Sequence, residues 1–213
     1  MTGTMNQIAS VITTSVIQAA DCLKAGQLLA YPTESVWGIG CDPYNEAAVQ
    51  QILAIKDRPQ AKGMIVITDS VERLAPLLAP LNTTQRNPIL ESWQTDSEHT
   101  DSQYQQAHTW LLPIPQALAN RIPSWITGRH PTVAVRVIAH PVIRGLCQQL
   151  VSTHNPFGLV VSTSCNPSGQ LPATTFAEAQ HYFGEQISYL QADTLGYTLP
   201  SQIRDAMTGS ILR

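Results

Sequence analysis

A helix, a positively charged loop and a buried strand follow one another in the first third of the chain. Residues 45–55 begin with Asn45, carry an acidic first turn and place apolar residues at helical spacing, which predicts a helix that Pro59 ends. The apolar run 64–67, after Gly63, predicts a buried strand. The loop between such a helix and such a strand often carries function.

That loop contains Lys56, Arg58 and Lys62. The chain has three lysines and nine arginines, so two of its three lysines lie within these few residues. One interpretation is that Lys56 and Arg58 offset the negative end of the helix and that Lys62 is a solvated surface charge. Because a chain with so few lysines has not spread them for solubility, we favour the other interpretation, a site that binds phosphate.

Length and composition limit the class of protein. A chain of 213 residues favours one domain, which we expect to span residues 14–213 after an N-terminal extension, 1–13. Its 43% apolar and 13% charged residues are typical of a compact enzyme. No apolar stretch is long enough to cross a bilayer, and residues 1–10 do not resemble an export signal, which predicts a cytoplasmic protein without membrane contact. The net charge of -3 argues against a general nucleic-acid coat.

The residue types that most often bind metals are scattered along the chain. His99 and His108 lie in the polar run 94–108, which lacks lysine and arginine and is predicted to be an irregular, mobile insert. We expect both histidines to be exposed to solvent rather than metal-bound. The widely spaced cysteines indicate neither a zinc ribbon nor a disulfide framework, and they are predicted to be buried free thiols: Cys22, Cys41, Cys147 and Cys165.

A turn with two hydroxyls and a carboxylate follows the predicted strand 28–31. Thr33, Glu34 and Ser35 either satisfy their own backbone as turn residues or face a ligand, and the residues alone leave both interpretations open. Gly38 and Gly40 interrupt the next apolar segment. Glycine weakens a strand, so these two indicate the close passage of another backbone or of a ligand.

A second polar turn, residues 162–169, follows the apolar run 158–161, which we predict to be a central strand. Ligands of open α/β sheets bind at the carboxyl ends of such strands. The hydroxyls and the amide of this turn suit ribose and phosphate oxygens, and a simple tight turn at Asn166-Pro167 is the alternative.

Arg136 interrupts another predicted strand, residues 132–137. A charge inside a buried strand is costly unless it is paired. Arg136 is therefore expected either to meet a carboxylate such as Asp205 or to point at an anionic ligand.

Five motifs, taken together and in this order, resemble the YrdC family in its short bacterial form. They are YPTESVWGIG at 31–40, Lys56-x-Arg58 with Lys62-Gly63, Val135-Arg136-Val137 before His140-Pro141, STSCNPSG at 162–169 and Pro200-Ser201. The resemblance extends from residue 16 to residue 213. It implies an α/β (α+β) fold, a single-domain twisted mixed β-sheet with flanking helices around a concave basin.

The resemblance also implies an activity, that of a threonylcarbamoyl-AMP synthase. L-threonine, bicarbonate and ATP would give threonylcarbamoyl-AMP and pyrophosphate, for the threonylcarbamoyladenosine modification of tRNA. Carried over residue by residue, it assigns catalysis to Lys56 and Arg58, threonine binding to Thr33 and Arg136, and no residue to a metal. The implied ATP-binding residues are Lys56, Arg58, Lys62, Ser164, Asn166, Ser201 and Arg213.

The implied reaction agrees with the charge of the loop. Attack of a carbamate oxygen on the α-phosphate brings two anions together, so positive charge is needed to stabilise the developing pyrophosphate. Mg²⁺ is expected to take part, held mainly by the substrate phosphates, because the chain lacks clustered carboxylates. No nucleophile is evident, which predicts direct transfer. The implied partners are the proteins that pass the threonylcarbamoyl group to tRNA, with tRNA engaged indirectly.

Two other functions stay open at this point. One is an RNA-binding module that uses the same basin in RNA maturation without adenylate chemistry, although the net negative charge weighs against it. The other is a carbamoyl or acyl adenylate former that takes a different amino acid. Family members carry a Pro-Gly-Pro segment after the tryptophan that matches Trp93. Here the polar run 94–108 intervenes and Ala107-His108-Thr109 replaces that segment, which leaves the geometry of that side of the basin open.

Overall fold

The computed structural model describes residues 9–94, 105–199 and 201–213. Within these ranges the strands are β1 (Ile12–Thr13), β2 (Leu29–Pro32), β3 (Trp37–Gly40), β4 (Ile65–Thr68), β5 (His108–Pro113), β6 (Thr132–Val137), β7 (Val160–Val161), β8 (Thr163–Ser164), β9 (Ser188–Leu190) and β10 (Gln202–Asp205). The α-helices are α1 (Val16–Lys24), α2 (Glu46–Ile55), α3 (Ala75–Leu78), α4 (Thr83–Ser92), α5 (Ser124–Thr127), α6 (Pro141–Gln149) and α7 (Phe176–Phe183). Short 3-10 helices lie at Gln60–Lys62, Glu72–Leu74, Gln116–Leu118 and Gly184–Gln186.

The strands form two mixed five-stranded sheets, where the sequence predicted one. Sheet 1 has the order β1-β9-β2-β3-β8, in which β1, β9 and β2 are parallel and β3 is antiparallel to both of its neighbours. Sheet 2 has the order β10-β5-β6-β4-β7, with parallel pairing of β10 to β5 and of β6 to β4. Its other two pairings are antiparallel. The predicted mixed α/β class with flanking helices is confirmed.

The two sheets meet at a seam, residues 160–164, where the chain passes from β7 to β8 through Ser162. The amide of Val161 donates to the carbonyl of Cys41 at 3.0 Å, and that of Ser162 donates to Ile65 in sheet 2 at 2.9 Å. The prediction of a central strand at 158–161 is wrong, since β7 is a two-residue edge strand of sheet 2. The chain changes sheets here, so it has no length over which to run between two neighbours.

The close approach at the seam explains Gly40. A Cβ at position 40 would overlap the carbonyl oxygen of Val161, to which the Tyr31 hydroxyl also donates at 3.0 Å. A Cβ at Gly38 would lie 3.1 Å from the Tyr31 ring. The prediction that another backbone passes close to this segment is therefore confirmed at Gly40.

The helices begin where the sequence places caps, and they pack on the sheets through apolar faces. The hydroxyl of Ser15 caps α1, and the side chain of Asn45 accepts from the Ala48 amide at 3.1 Å to cap α2. The larger core cluster joins side chains of both sheets to α2, α3, α4 and α7, and a smaller cluster lies under α1 and α6. No helix in the described ranges is long and apolar enough to span a membrane.

The first strand lies inside the segment that was predicted to be an N-terminal extension. β1 pairs in parallel with β9, and the Ser10 hydroxyl donates to the carbonyl of Ile187 at 2.6 Å. The folded unit thus begins before residue 14.

Candidate active site

A cavity of about 370 Å³ lies beside the seam. Sheet 2 contributes apolar side chains that include Leu111, Ala134 and Ile203, and the opposite wall is formed by Thr33, residues 35–38 and residues 162–164. Its volume falls in the range of small-molecule sites, and its walls combine apolar area with a few polar groups.

Four basic side chains line this cavity: Arg58, Lys62, Arg136 and Arg213. Among the described residues that line it, none is an aspartate or a glutamate. Burial lowers the pKa of the Arg58 guanidinium, and the positive charge of Arg213 lowers it further. Cations held together in one concave site attract a polyanion, because its binding relieves their mutual repulsion.

Lys56 holds the polar turn of the seam. Its ammonium lies 3.0 Å from the Ser164 carbonyl, 3.3 Å from the Ser164 hydroxyl, 2.8 Å from the Asn166 carbonyl and 2.9 Å from Asn166 Oδ1. An ammonium has three protons, so these four acceptors share all of them. Lys56 and Asn166 therefore stand behind the cavity wall, and the hydroxyl of Ser164 lies on it.

Arg58 braces the loop that carries it. Its Nε donates to the Gly63 carbonyl at 3.1 Å, and its Nη2 donates to the carbonyls of Gly63 and Lys62 at 2.9 Å and 3.2 Å. These bonds close the turn of Gln60–Lys62 and leave Nη1 as the guanidinium nitrogen without a bond to the loop. Both Arg58 and Lys62 are exposed to the cavity.

A second loop, residues 126–130, packs against the loop that carries Arg58 and Lys62. The Met64 amide donates to the Ile126 carbonyl at 2.7 Å. Gly128 has φ +65° and packs so closely that a Cβ there would lie 2.5 Å from the Ala61 carbonyl oxygen. The same oxygen lies 2.8 Å from His130 Nε2. Sequence reasoning missed this contact, although the Thr-Gly-Arg-His turn that ends a short helix was a usable signal.

Thr33 is a turn residue that also lines the cavity, and its contact with a ligand stays a prediction. Its hydroxyl donates to the Val36 carbonyl at 2.7 Å, which closes the turn, and the residue also lines the cavity. Since a hydroxyl that donates one bond still has lone pairs, Thr33 can accept from a ligand.

Arg136 meets a carboxylate, but the partner is Glu34 rather than Asp205. Arg136 Nη1 lies 3.5 Å from Glu34 Oε2, and both side chains are largely buried, at 11% and 2% exposure. The prediction that named Asp205 is wrong because its carboxylate caps a turn, accepting from the amides of Met207 and Thr208. Arg136 also lines the cavity, and the interpretation that it points at an anionic ligand stays a prediction.

Ser201 and Arg213 complete the basic wall. Arg213 Nη2 donates to the Ser201 hydroxyl at 3.2 Å, and both residues line the cavity. The final strand β10 and the segment after it bring them there, since Ile203 exchanges backbone hydrogen bonds with residues 212–213. The binding of ATP by Ser201 and Arg213 stays a prediction.

The groups that could bind a metal or act as a nucleophile are not placed for it. No cluster of three or more metal-ligating side chains occurs in the part of the chain that the structure describes. The four cysteines are buried and free as predicted, and burial raises the pKa of the Cys165 thiol to about 12. His108 is part of β5 and half-buried, so the prediction of solvent exposure is wrong for it. His99 and most of the predicted insert 94–108 lie outside the described residues.

Known proteins resemble this chain in sequence and in fold. The Sua5/YciO/YrdC profile, described as telomere recombination, matches residues 21–213. A threonylcarbamoyl-AMP synthase of Psychrobacter arcticus is 59% identical over 216 residues, 98% of this chain and 100% of that protein. One of Acinetobacter baylyi is 48% identical, covering 95% of this chain and 98% of its own. The crystal structure of P. abyssi Sua5 complexed with L-threonine matches with a TM-score of 0.68 at 25% identity, over 92% of this chain and 53% of that one.

The profile match and the two bacterial relatives extend over nearly the whole chain. The motifs that first indicated the family converge on one cavity in the structure, with Arg58 and Lys62 on one wall and Ser164 on another. This chain belongs to the Sua5/YciO/YrdC family.

Proposed function

We propose that this chain is a threonylcarbamoyl-AMP synthase, which converts L-threonine, bicarbonate and ATP into threonylcarbamoyl-AMP and pyrophosphate. The observation that carries the proposal is a single cavity in which Arg58, Lys62 and Arg213 share the walls with the Ser164 hydroxyl. The 59% identical Psychrobacter arcticus protein of that name supports it. Cations that gather phosphates and uncharged donors that orient them are what a reaction between two anions requires.

The reaction proceeds in two steps. The threonine amine adds to bicarbonate with loss of water, which gives a carbamate. A carbamate oxygen then attacks the α-phosphorus, and the new P–O bond forms as the bond to the pyrophosphate oxygen breaks. We place Arg58 and Lys62 on the phosphates, with Arg213 beside Arg58, because negative charge grows on the leaving pyrophosphate.

Lys56 contributes through the turn that it holds. Its four contacts fix Ser164 and Asn166, so the Ser164 hydroxyl keeps one direction toward the nucleotide. In this proposal Lys56 is needed for turnover, as the family resemblance implies, while direct contact with phosphate belongs to Arg58 and Lys62.

L-threonine binds at the side of the cavity formed by Thr33 and Arg136 in this proposal. The guanidinium of Arg136 presents a planar set of N–H donors, which matches the two oxygens of a substrate carboxylate. The Thr33 hydroxyl, whose proton is used on Val36, offers lone pairs to a substrate donor. The threonine complex of P. abyssi Sua5 is consistent with an amino-acid site in this fold.

Magnesium enters this proposal as part of the ATP substrate. The cavity lining supplies basic and hydroxyl groups but, within the described residues, no carboxylate, so the side chains present do not form a protein-held magnesium site. When it accompanies ATP, the ion would act as a Lewis acid that stabilises negative charge on the phosphates. The basic side chains of the cavity can contact the phosphates whether or not the ion accompanies ATP.

The product implies what must act next. Threonylcarbamoyl-AMP is an activated acyl donor, so we propose that partner proteins transfer its threonylcarbamoyl group to tRNA, and that this chain meets tRNA indirectly. We propose the cytoplasm as its location, because ATP and tRNA are present there.

Release of pyrophosphate from ATP tests the proposal. Purified protein should release pyrophosphate when threonine, bicarbonate and ATP are all present, and the rate should fall to background when any one is withheld. Arg58→Ala should lower the rate by about 100-fold, the usual cost of losing one group that stabilises a transition state. Arg121→Ala, which removes an exposed arginine outside the cavity lining, serves as the matched control and should be close to wild type.

Two results would point elsewhere. Folded protein that releases no pyrophosphate but binds RNA with a steep salt dependence would be an RNA-binding module. Release that depends on another amino acid in place of threonine would indicate a different adenylate former.

A further inference from the structure

Glu34 is a buried carboxylate whose contacts are incomplete. Its side chain is 2% exposed, and one oxygen, Oε1, accepts from the Ala139 amide at 3.0 Å. The other oxygen, Oε2, has no hydrogen-bond partner among the described residues, and its nearest cation is Arg136 Nη1 at 3.5 Å. Arg136 Nε is likewise buried without a hydrogen-bond partner in the described part of the chain. Burying a charged or polar group without a hydrogen-bond partner costs free energy, so these two groups call for an explanation.

A second arginine–carboxylate pair in the same protein is complete. Asp69 Oδ1 lies 2.5 Å from Arg73 Nε, within hydrogen-bond distance, and Asp69 is also buried. Neither residue lines the cavity. This pair serves structure alone, and its geometry shows what a pair optimised for stability looks like in this fold.

The Glu34 pair differs because Arg136 faces the cavity and Glu34 does not. We infer that Glu34 is a positioning residue: it holds the Arg136 guanidinium so that its unused N–H donors meet the carboxylate of the amino-acid substrate. This inference rests on the proposed function. A guanidinium has five N–H donors, so it can contact the buried carboxylate of Glu34 and bind a second carboxylate in the cavity.

The charge balance gives Glu34 a second effect, on selectivity. Arg58, Lys62 and Arg213 line the cavity without a carboxylate partner, so their wall suits the triphosphate. Glu34 offsets the charge of Arg136, so that side of the cavity presents oriented donors with less net positive charge. A singly charged carboxylate is favoured there over a polyphosphate, since negative charge behind the guanidinium repels a polyanion most.

The segment 191–199 keeps Glu34 away from water. The Tyr197 amide donates to the Glu34 carbonyl at 3.0 Å and the Leu195 amide to the Thr33 carbonyl at 3.3 Å. His140 Nε2 lies 2.7 Å from the Asp193 carbonyl on the same segment. An interaction between Glu34 and Arg136 is stronger in such a shielded site than in solvent.

Binding of L-threonine and of a nonhydrolysable ATP analogue, measured separately by calorimetry, tests the inference. Glu34→Gln keeps the size of the side chain and an acceptor for the Ala139 amide. We expect it to weaken threonine binding by about tenfold or more and to change affinity for the ATP analogue less than about twofold. Asp69→Asn makes the same chemical change in the structural pair, and it should lower thermal stability without altering either affinity.

A third variant covers the case in which Glu34→Gln fails to fold. Glu34→Gln with Arg136→Met removes both charges, so no buried charge is left unpaired. It should bind the ATP analogue but not threonine. Threonine binding restored to the wild-type level would overturn the inference, because the pair would then be structural. So would equal losses of both ligands, or no loss, in Glu34→Gln. A wild-type protein that binds ATP but never threonine would overturn the proposed function itself.

Discussion

Lys56 and Lys62 stand at the two ends of one loop, and they differ in what their ammonium groups contact. Lys56 is half-buried and bonds to Ser164 and Asn166 across the seam. Lys62 is exposed and lines the cavity. In sequence the two are equivalent members of a scarce residue type. In the structure, Lys56 holds a turn in place and Lys62 lines the cavity.

The difference shows that a cluster of cations need not act as one unit. A charge used for internal hydrogen bonds acts mainly through geometry, and its loss should disturb both stability and rate. A charge that lines a cavity acts through the ligand, and its loss should change affinity or rate with little effect on stability. Variants of the two lysines should therefore differ in their effects on stability and on ATP affinity.

The largest effect is expected for Lys56→Ala. The Ser164 and Asn166 acceptors lose their common donor, so turnover should fall about 100-fold or more. The free energy of unfolding should fall by about 1–3 kcal/mol, because partly buried acceptors are left unsatisfied. Steady-state kinetics and chemical denaturation of the same preparation measure the two effects.

A result with full stability and a raised KM for ATP alone would contradict the role given to Lys56. Lys56→Arg is the informative companion variant. A planar guanidinium does not reproduce the ammonium's contacts to four acceptors around one point, so it should not restore the rate.

Lys62→Ala should have a smaller and different effect. The KM for ATP should rise about tenfold, since one charge-assisted contact with phosphate is lost. The free energy of unfolding should stay within about 0.5 kcal/mol of wild type, because the side chain is exposed. A stability loss equal to that of Lys56→Ala would remove the distinction between the two lysines.

The dependence of ATP affinity on ionic strength should also distinguish Lys56 from Lys62. Between about 0.05 M and 0.5 M salt, affinity for ATP should fall in the wild type, and the slope should be shallower in Lys62→Ala. Lys56→Ala should keep the wild-type slope, because hydrogen bonds inside the wall are screened much less than a charge exposed in the cavity. Titration of a fluorescent ATP analogue at several salt concentrations gives the slopes.

The smallest effect is expected in the response to alkaline pH. Burial lowers the pKa of the Lys56 ammonium, and the charge of Arg58 acts in the same direction. As pH rises, turnover should therefore begin to fall at a pH below ~10.4, the ordinary pKa of lysine. Between the lowered pKa in the folded protein and ~10.4, Lys56 has lost its proton in the folded protein but keeps it in the unfolded chain. The contribution of Lys56 to the free energy of unfolding therefore rises with pH in this window.

Profiles of kcat and of thermal stability against pH test this separation. Lys62→Ala should keep the alkaline fall in turnover. The difference in stability between wild type and Lys56→Ala should widen, not narrow, as pH rises through the window. A narrowing difference would show that the sign of the pKa change is wrong.

The sequence predicted the long elements of the fold and missed the short ones. Helix α2 and strand β4 follow from a cap, a periodic apolar face and a breaker, all of which are local signals. Strands β1 and β8 have two residues each and pair with residues far away in the chain. Two residues carry no periodicity, so the division into two sheets was beyond a local reading.

The sequence predicted several residues that line the cavity, but not the contacts that these residues make. Motif resemblance identified Arg58, Lys62, Ser164 and Arg213, and the structure brings all four to one cavity. Which cation pairs with which oxygen depends on how the sheets are brought together, and no local pattern reports that. The partner of Arg136 was misassigned for this reason.

The seam sets a rule about chain length. One residue, Ser162, separates the strand that belongs to sheet 2 from the strand that belongs to sheet 1. Successive side chains of a strand point to opposite faces, so one added residue here would turn the Ser164 hydroxyl to the other face of β8. Both sheets would still form, but Lys56 would lose its contact with the Ser164 hydroxyl. This crossing should accept a changed side chain more readily than a changed number of residues.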